Sequence, residues 1–192
     1  MTLSRRTVLA AMAASATAFT AAAPLPAFSE EAQVIDARVN IAFGKLYKQV
    51  PGARELAQNA KAILMMPEVL KGGFIVGASY GEGALRLNQG GGRYDKTVQY
   101  YSVGAGSVGF QAGLQRTSHA LFFLTDGALD NFRKKDGWAV GADAEVTFPS
   151  AGLNAGLATT TANRPIIGVV FGEDGLLIGA SLNGAKYTRI DR

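Results

Sequence analysis

The sequence predicts an α+β fold: a mainly antiparallel, glycine-rich β-sandwich or barrel-like sheet with N-terminal helices and one short internal helix. Three observations lead there. Apolar residues recur at helical spacing early in the chain and at alternate positions beyond residue 62. About nine apolar runs follow at the spacing of antiparallel sandwiches and barrels. Of the 24 glycines, 22 lie between Gly72 and Gly184, many inside those runs. Glycine inside a strand marks a bulge, a sharp bend or the close approach of another backbone.

Residues 1–29 read as an export signal and residues 30–192 as a single domain. Ser4-Arg5-Arg6-Thr7-Val8-Leu9 resembles the twin-arginine motif, with Arg5 and Arg6 as the signal pair. The alanine-rich run Val8–Ala23 that follows is too short and too weakly apolar for a convincing membrane span. Ala27-Phe28-Ser29 places small residues where a signal peptidase reads them, so cleavage is expected before Glu30 and the protein is expected in the periplasm. A retained N-terminal anchor is the alternative. Cleavage removes two basic residues and no acid from a chain whose net charge is +4.

The domain opens with an amphipathic helix over Glu30–Val50, where Ile35, Val39, Ala42, Leu46 and Val50 form one stripe beside Phe43. Pro51-Gly52 stops it, and a short helix follows over 53–60. Ala62–Met66 reads as a strand ended by Pro67. Phe74–Tyr80 and Ala84–Asn88 flank Gly81-Glu82-Gly83, a hairpin signal. Val98–Gly104, Val108–Gln115 and Ser118–Leu124 read as strands. Asp126 is placed to cap a helix over 127–135, closed by Asp136-Gly137. Trp138–Phe148 alternates, with Val140, Ala142, Ala144, Val146 and Phe148 on one face and Asp143 and Glu145 on the other. Leu153–Thr160 is a weaker strand. Ile166–Phe171 and Leu176–Leu182 form a hairpin around residues 172–175, and 184–190 completes the sheet.

Composition narrows the chemistry. With no cysteine and one histidine, the chain holds no thiolate or multi-histidine metal set, and no cofactor is expected. No basic run is dense enough for nucleic acid. Gly104-Ala105-Gly106-Ser107-Val108-Gly109 matches a dinucleotide-binding pattern, yet the residues after it alternate with period two where that motif requires a helix.

The domain resembles the SYLF-domain lipid-binding family, whose eukaryotic members are also described as actin-binding. The resemblance rests on ordered blocks: Ala60–Ile63, Pro67, Lys71–Gly77, Gly106–Gly113, Ala128–Phe132, Gly141–Ala144 and Gly175–Gly184. It implies a non-enzymatic protein that binds anionic lipid or a membrane surface through an N-terminal amphipathic helix and basic residues.

Candidate lipid-binding residues are Arg38, Lys45 and Lys48 on the first helix and the run Arg133, Lys134, Lys135. The helix stripe has a second reading, as a face packed on the sheet, and the run 133–135 a second reading as a complement to a helix dipole. His119 reads as a strand-end residue, and Gln111 and Gln115 as residues of an exposed strand face or an interior. Two rival functions stand beside lipid binding. One is a periplasmic scaffold or assembly protein with a protein partner. The other is an enzyme with an acidic site near Asp143 and Glu145, which lacks a nucleophile and base. An integral outer-membrane barrel fits the strand count but not the runs Ala120–Leu124 and Leu176–Ile178, which lack lumen alternation.

Replacing Arg5 and Arg6 with lysine should leave precursor in the cytoplasm, and N-terminal sequencing of the wild-type protein should start at Glu30. Unchanged export, or a retained Met1, contradicts this assignment.

Overall fold

The computed structural model describes residues 31–73, 76–108, 115–148, 164–173, 175–177, 180 and 182–192. Helices α1 (Ala32–Gln49) and α2 (Ala53–Asn59) come first. They are followed by strands β1 (Ala62–Gly73), β2 (Val76–Leu87), β3 (Thr97–Val108) and β4 (Gln115–Phe123). Helix α3 (Asp126–Lys134), β5 (Trp138–Ala139), β6 (Ile166–Gly172), β7 (Gly175–Leu176) and β8 (Lys186–Ile190) complete the chain. The described strands form one antiparallel sheet of eight, in the order β5-β8-β3-β2-β1-β4-β6-β7. The sheet curls into a half-barrel, nearer to the barrel-like arrangement expected than to a sandwich of two sheets. The expected strand over 153–160, most of that over 108–115, and Gln111 lie outside the described residues.

Both faces of the sheet are buried, and strand alternation deals residues to two separate cores. On β1, Ile63 and Met65 face outward to α1 and α2, whereas Ala62, Leu64 and Met66 face inward. On β4, Ala120 and Phe122 face the helices, while Leu121 and Phe123 face inward. A strand buried on both faces reads as a continuous apolar run, as Ala62–Met66 and Ala120–Phe123 do.

Helix α1 lies on the outer face through Ile35, Val39, Ala42, Phe43 and Leu46, and α2 adds Ala53, Leu56 and Ala57. A polar cluster fixes it in register. Arg86 of β2 is buried and pairs with Asp36 of α1 at 3.3 Å. Its guanidinium also donates to Asn40 Oδ1 at 2.6 Å, the Tyr94 carbonyl at 2.9 Å and Thr97 Oγ1 at 3.1 Å. Burial works against the Asp36 charge, but hydrogen bonds from Thr97, Tyr100 and Arg86 outweigh it and hold the pKa below the ordinary carboxylate value.

The inner face encloses an aromatic cluster. Phe132 of α3 contacts Tyr101, Phe123 and Trp138 at ring separations of 4.7, 4.9 and 5.3 Å. Helix α3 is capped by Thr125, whose hydroxyl accepts from the Ala128 N–H at 3.2 Å, and not by Asp126, which is its first residue.

Three sequence expectations are corrected. Pro67 does not end β1. The register slips between Met65 and Glu68 on the β2 side and between Met66 and Val69 on the β4 side, so Pro67 sits in a bulge and the strand continues to Gly73. Gly81-Glu82-Gly83 is not a turn. It lies in the middle of β2, opposite that bulge. A Cβ at Gly81 would fall 2.5 Å from the Glu68 carbonyl oxygen, and one at Gly83 would overlap the Met65 carbonyl oxygen. Trp138–Phe148 is not one strand. Trp138 and Ala139 pair with β8, residues 141–143 turn, and Thr147 bridges to Ile167 of β6. The segment therefore links the β8 side of the half-barrel to the edge of β6 away from β4. Within it Val140 and Val146 are buried as expected, and Ala142 is exposed in the turn. Of the expected strand 176–182, only Leu176, in β7, is strand among the described residues.

Gly83→Ala should destabilise the protein by about 3 kcal/mol or more, because the clash is with backbone. Gly104→Ala, where a Cβ meets nothing within 4 Å, should change stability by about 0.5 kcal/mol or less. Equal losses in urea denaturation would contradict the bulge register.

Candidate functional site

The apolar stripe of α1 is core. Leu46 is fully buried and Phe43 is 8% exposed, so the reading in which this stripe enters a membrane gives way to the packed one. Helix α1 instead presents Val34, Ile41, Lys45 and Lys48 to solvent.

The structure brings Arg38 and Lys45 to one surface with residues from the sheet. Tyr80 on β2, Leu70 on β1 and Arg116 on β4 are register partners and lie in one row across the outer face. Tyr80 and Leu70 are 50% and 40% exposed, which is unusual for large apolar side chains. Two shallow grooves meet here, sharing Arg38, Pro67 and Glu68. One adds Ile41, Lys45 and Arg116; the other adds Leu70 and Tyr80. Arg38 pairs with Glu68 at 3.6 Å. The Tyr80 hydroxyl donates to Glu82 Oε1 at 2.6 Å, and Arg192 bonds the same carboxylate at 2.6 Å. Carboxylates thus temper the cations, while Ile41, Leu70 and Tyr80 supply an apolar surface between them.

Arg133, Lys134 and Lys135 lie elsewhere, at the C-terminus of α3, where their charge complements the helix dipole. Two residues of β8 join them, which the sequence run alone does not reveal. Arg189 donates to the Arg133 carbonyl, and the Lys186 stem packs against Gly137. Lys135 pairs with Asp143 at 2.5 Å. The Asp143 carboxylate also accepts from the Ala139 N–H at 2.7 Å. The Lys135 bond, then the Ala139 bond, hold the Asp143 pKa below its ordinary value. Glu145 pairs with Arg164 at 3.4 Å. The two carboxylates proposed as an acidic site are therefore each held in a separate ion pair. The glycine motif at 104–109 does not turn into a helix within the described residues: Gly104 and Gly106 lie inside β3.

A cavity of about 400 Å³ opens inside the half-barrel at the end where β1 and β2 connect. Its walls include Val69, Val103, Val170 and Leu182; Lys71, Ser79, Gln115 and Thr117 add polar groups. His119 also lines it, buried in the middle of β4 and not at a strand end. Its Nε2 lies 3.1 Å from the Thr117 hydroxyl, and its Nδ1 has no hydrogen-bond partner among the described residues. Burial pushes its pKa down to about 4, so the ring is neutral near pH 7. The signal for His119 in the sequence was parity: it shares an inward face with Leu121 and Phe123.

An unfolded histidine titrates near 6.5, so the unfolded chain takes up a proton first as pH falls. The neutral buried ring contributes stability that is full above about pH 6.5 and is lost on descent towards pH 4. Between pH 7 and pH 4 the wild type should lose about 3 kcal/mol more than His119→Leu in urea denaturation. Parallel losses would contradict a neutral buried ring.

Comparison with known proteins bears on the same end of the chain. Residues 104–191, just under half of the sequence, match the family model described as Ysc84, Las17-binding protein actin regulator. No curated protein matches the chain. The matched segment runs from within β3 through α3 to β8, and so contributes His119, Arg116 and the α3 cations. Residues 104–191 are thus similar to the Ysc84 family, in keeping with the SYLF-domain resemblance of the ordered sequence blocks.

Proposed function

We propose that this protein is a non-enzymatic, periplasmic protein that binds anionic lipid at a membrane surface, after export by the twin-arginine route and cleavage before Glu30. The observation that carries the reading is the outer-face row of Tyr80, Leu70 and Arg116, flanked by Arg38, Lys45 and Ile41. Apolar side chains exposed beside cations suit a lipid interface: the cations meet headgroup phosphates and the apolar groups reach the acyl boundary. Leu177, exposed beside the cavity mouth, extends the same character at this end of the sheet. None of the described helices is long and apolar enough to cross a membrane, so the contact proposed is with the surface.

A protein partner on the same row is the second reading, favoured by the family's description as Las17-binding and actin-regulating. In both readings the protein acts by binding.

Flotation with vesicles of phosphatidylglycerol and phosphatidylethanolamine tests the proposal. Leu70→Ser with Tyr80→Ser should weaken binding roughly 30-fold at every salt concentration, because partial apolar burial of two side chains is worth about 2 kcal/mol and is not screened. Arg116→Gln should weaken it only at low salt. Replacing Arg133, Lys134 and Lys135 together with glutamine should cost about threefold or less, since α3 leaves from the other end of β4. A larger loss in the triple variant than in the apolar pair would move the contact to α3. Wild-type protein that ignores these vesicles would favour the protein partner.

A further inference from the structure

We propose that the half-barrel cavity holds one medium-chain acyl ligand, with its anionic head at Lys71 and a hydrogen-bonding group near the far end of the chain at His119. The inference rests on the lipid reading above but uses different atoms, those of the inner face. A volume of about 400 Å³ lies within the range of small-molecule sites, and barrel mouths are common places for them. Such a space is too small for a folded partner or for a whole diacyl lipid.

The lining is arranged in layers along the strands. At the mouth Lys71, Gln115 and Ser79 lie in one row, because Lys71 pairs with Gln115 on one side and Ser79 on the other. Val69, Val103, Val170 and Leu182 form the apolar wall. His119 lies four residues beyond Gln115 on β4, a separation of about 14 Å along a strand. Lys71 is the one cation on the lining among the described residues, and its position at the mouth keeps a charged head hydrated while the chain enters.

His119 supplies the second, independent observation. A buried polar atom without a partner is costly and calls for one. The Nδ1 atom of His119 is such an atom, on a ring 6% exposed that lines the cavity. With Nε2 engaged by Thr117, Nδ1 is the remaining hydrogen-bonding site. A purely apolar chain would leave it unpaired. A chain bearing a hydroxyl about ten carbons from its head would span the layers and satisfy it.

The probes are decanoate and 10-hydroxydecanoate, measured by calorimetry on the exported chain. Both should bind at one per chain, and 10-hydroxydecanoate should bind roughly tenfold more tightly. Ala105→Trp, which places a large ring at the lining of the mouth, should abolish binding of both while thermal melting shows a folded protein. Lys71→Gln should weaken both roughly fivefold. His119→Leu should retain decanoate and lose the preference for the hydroxylated chain. Failure of both probes to bind, or binding unchanged in Ala105→Trp, overturns the cavity site; equal affinities in the wild type overturn the role of His119. Native mass spectrometry after incubation with phosphatidylglycerol vesicles separates the sources. One phospholipid per chain, absent in Ala105→Trp, assigns the acyl chain to a membrane lipid, and its absence with decanoate bound assigns it to a free acid. Ala105→Trp should still float with vesicles, so loss of the cavity and loss of the surface are read separately.

Discussion

The bulge in β1 at Pro67 sets the curvature on which the rest of the molecule depends. One extra residue on the β1 side of the ladder must be absorbed by the strand opposite. Gly81 and Gly83 absorb it, because any side chain there would meet the β1 backbone. The sheet can then curl enough to enclose Phe132, Trp138 and Tyr187 on its inner face. The same principle operates at the opposite side, where Gly168 lets Val146 and Phe148 approach β6; a Cβ at that position would lie 2.6 Å from the Phe148 ring. There the linking segment 138–148 meets β6 and draws the two sides of the half-barrel together.

Curling the sheet decides the fate of α1. Aromatic residues around α3 occupy one end of the inner face, and the amphipathic helix covers the outer face. Its apolar stripe and the Arg86–Asp36 pair hold it there. Arg86 is almost wholly enclosed, so removal of Asp36, itself half-buried, would leave the Arg86 charge with neutral acceptors only. A helix so engaged is a poor candidate for insertion into a bilayer. What it offers is its solvent side, where Ile41 and Lys45 adjoin the sheet row of Leu70, Tyr80 and Arg116.

Much of this was legible in the residues, and the misses share a cause. The helix expected over 30–50 is observed over Ala32–Gln49 with the expected stripe inward. The core runs at 62–66, 120–123 and 166–171 were apparent because strands buried on both faces are apolar throughout. Pro67 and Gly81-Glu82-Gly83 misled because proline and glycine signal local turns, whereas here each answers the other across a strand pair some fifteen residues apart. Alternation at 138–148 was real, but it reflects one segment packing on the same interior from two edges. Arg38 and Lys45 were legible as helix cations. Their neighbours Leu70, Tyr80 and Arg116 were not, since exposure of an apolar residue in a long strand depends on what fails to cover it. His119 was undervalued for a related reason: a lone histidine beside an apolar run shows its environment only when the opposite wall is in place.

The central claim is that membrane contact is made by the outer face of the sheet while α1 stays docked. Amide hydrogen exchange with and without anionic vesicles tests this most directly. Protection in α1 should be unchanged by vesicles, and protection should rise around Leu70, Tyr80 and Arg116. Loss of protection across Ile35–Leu46 on vesicle addition would mean that the helix leaves the sheet, and would contradict the account.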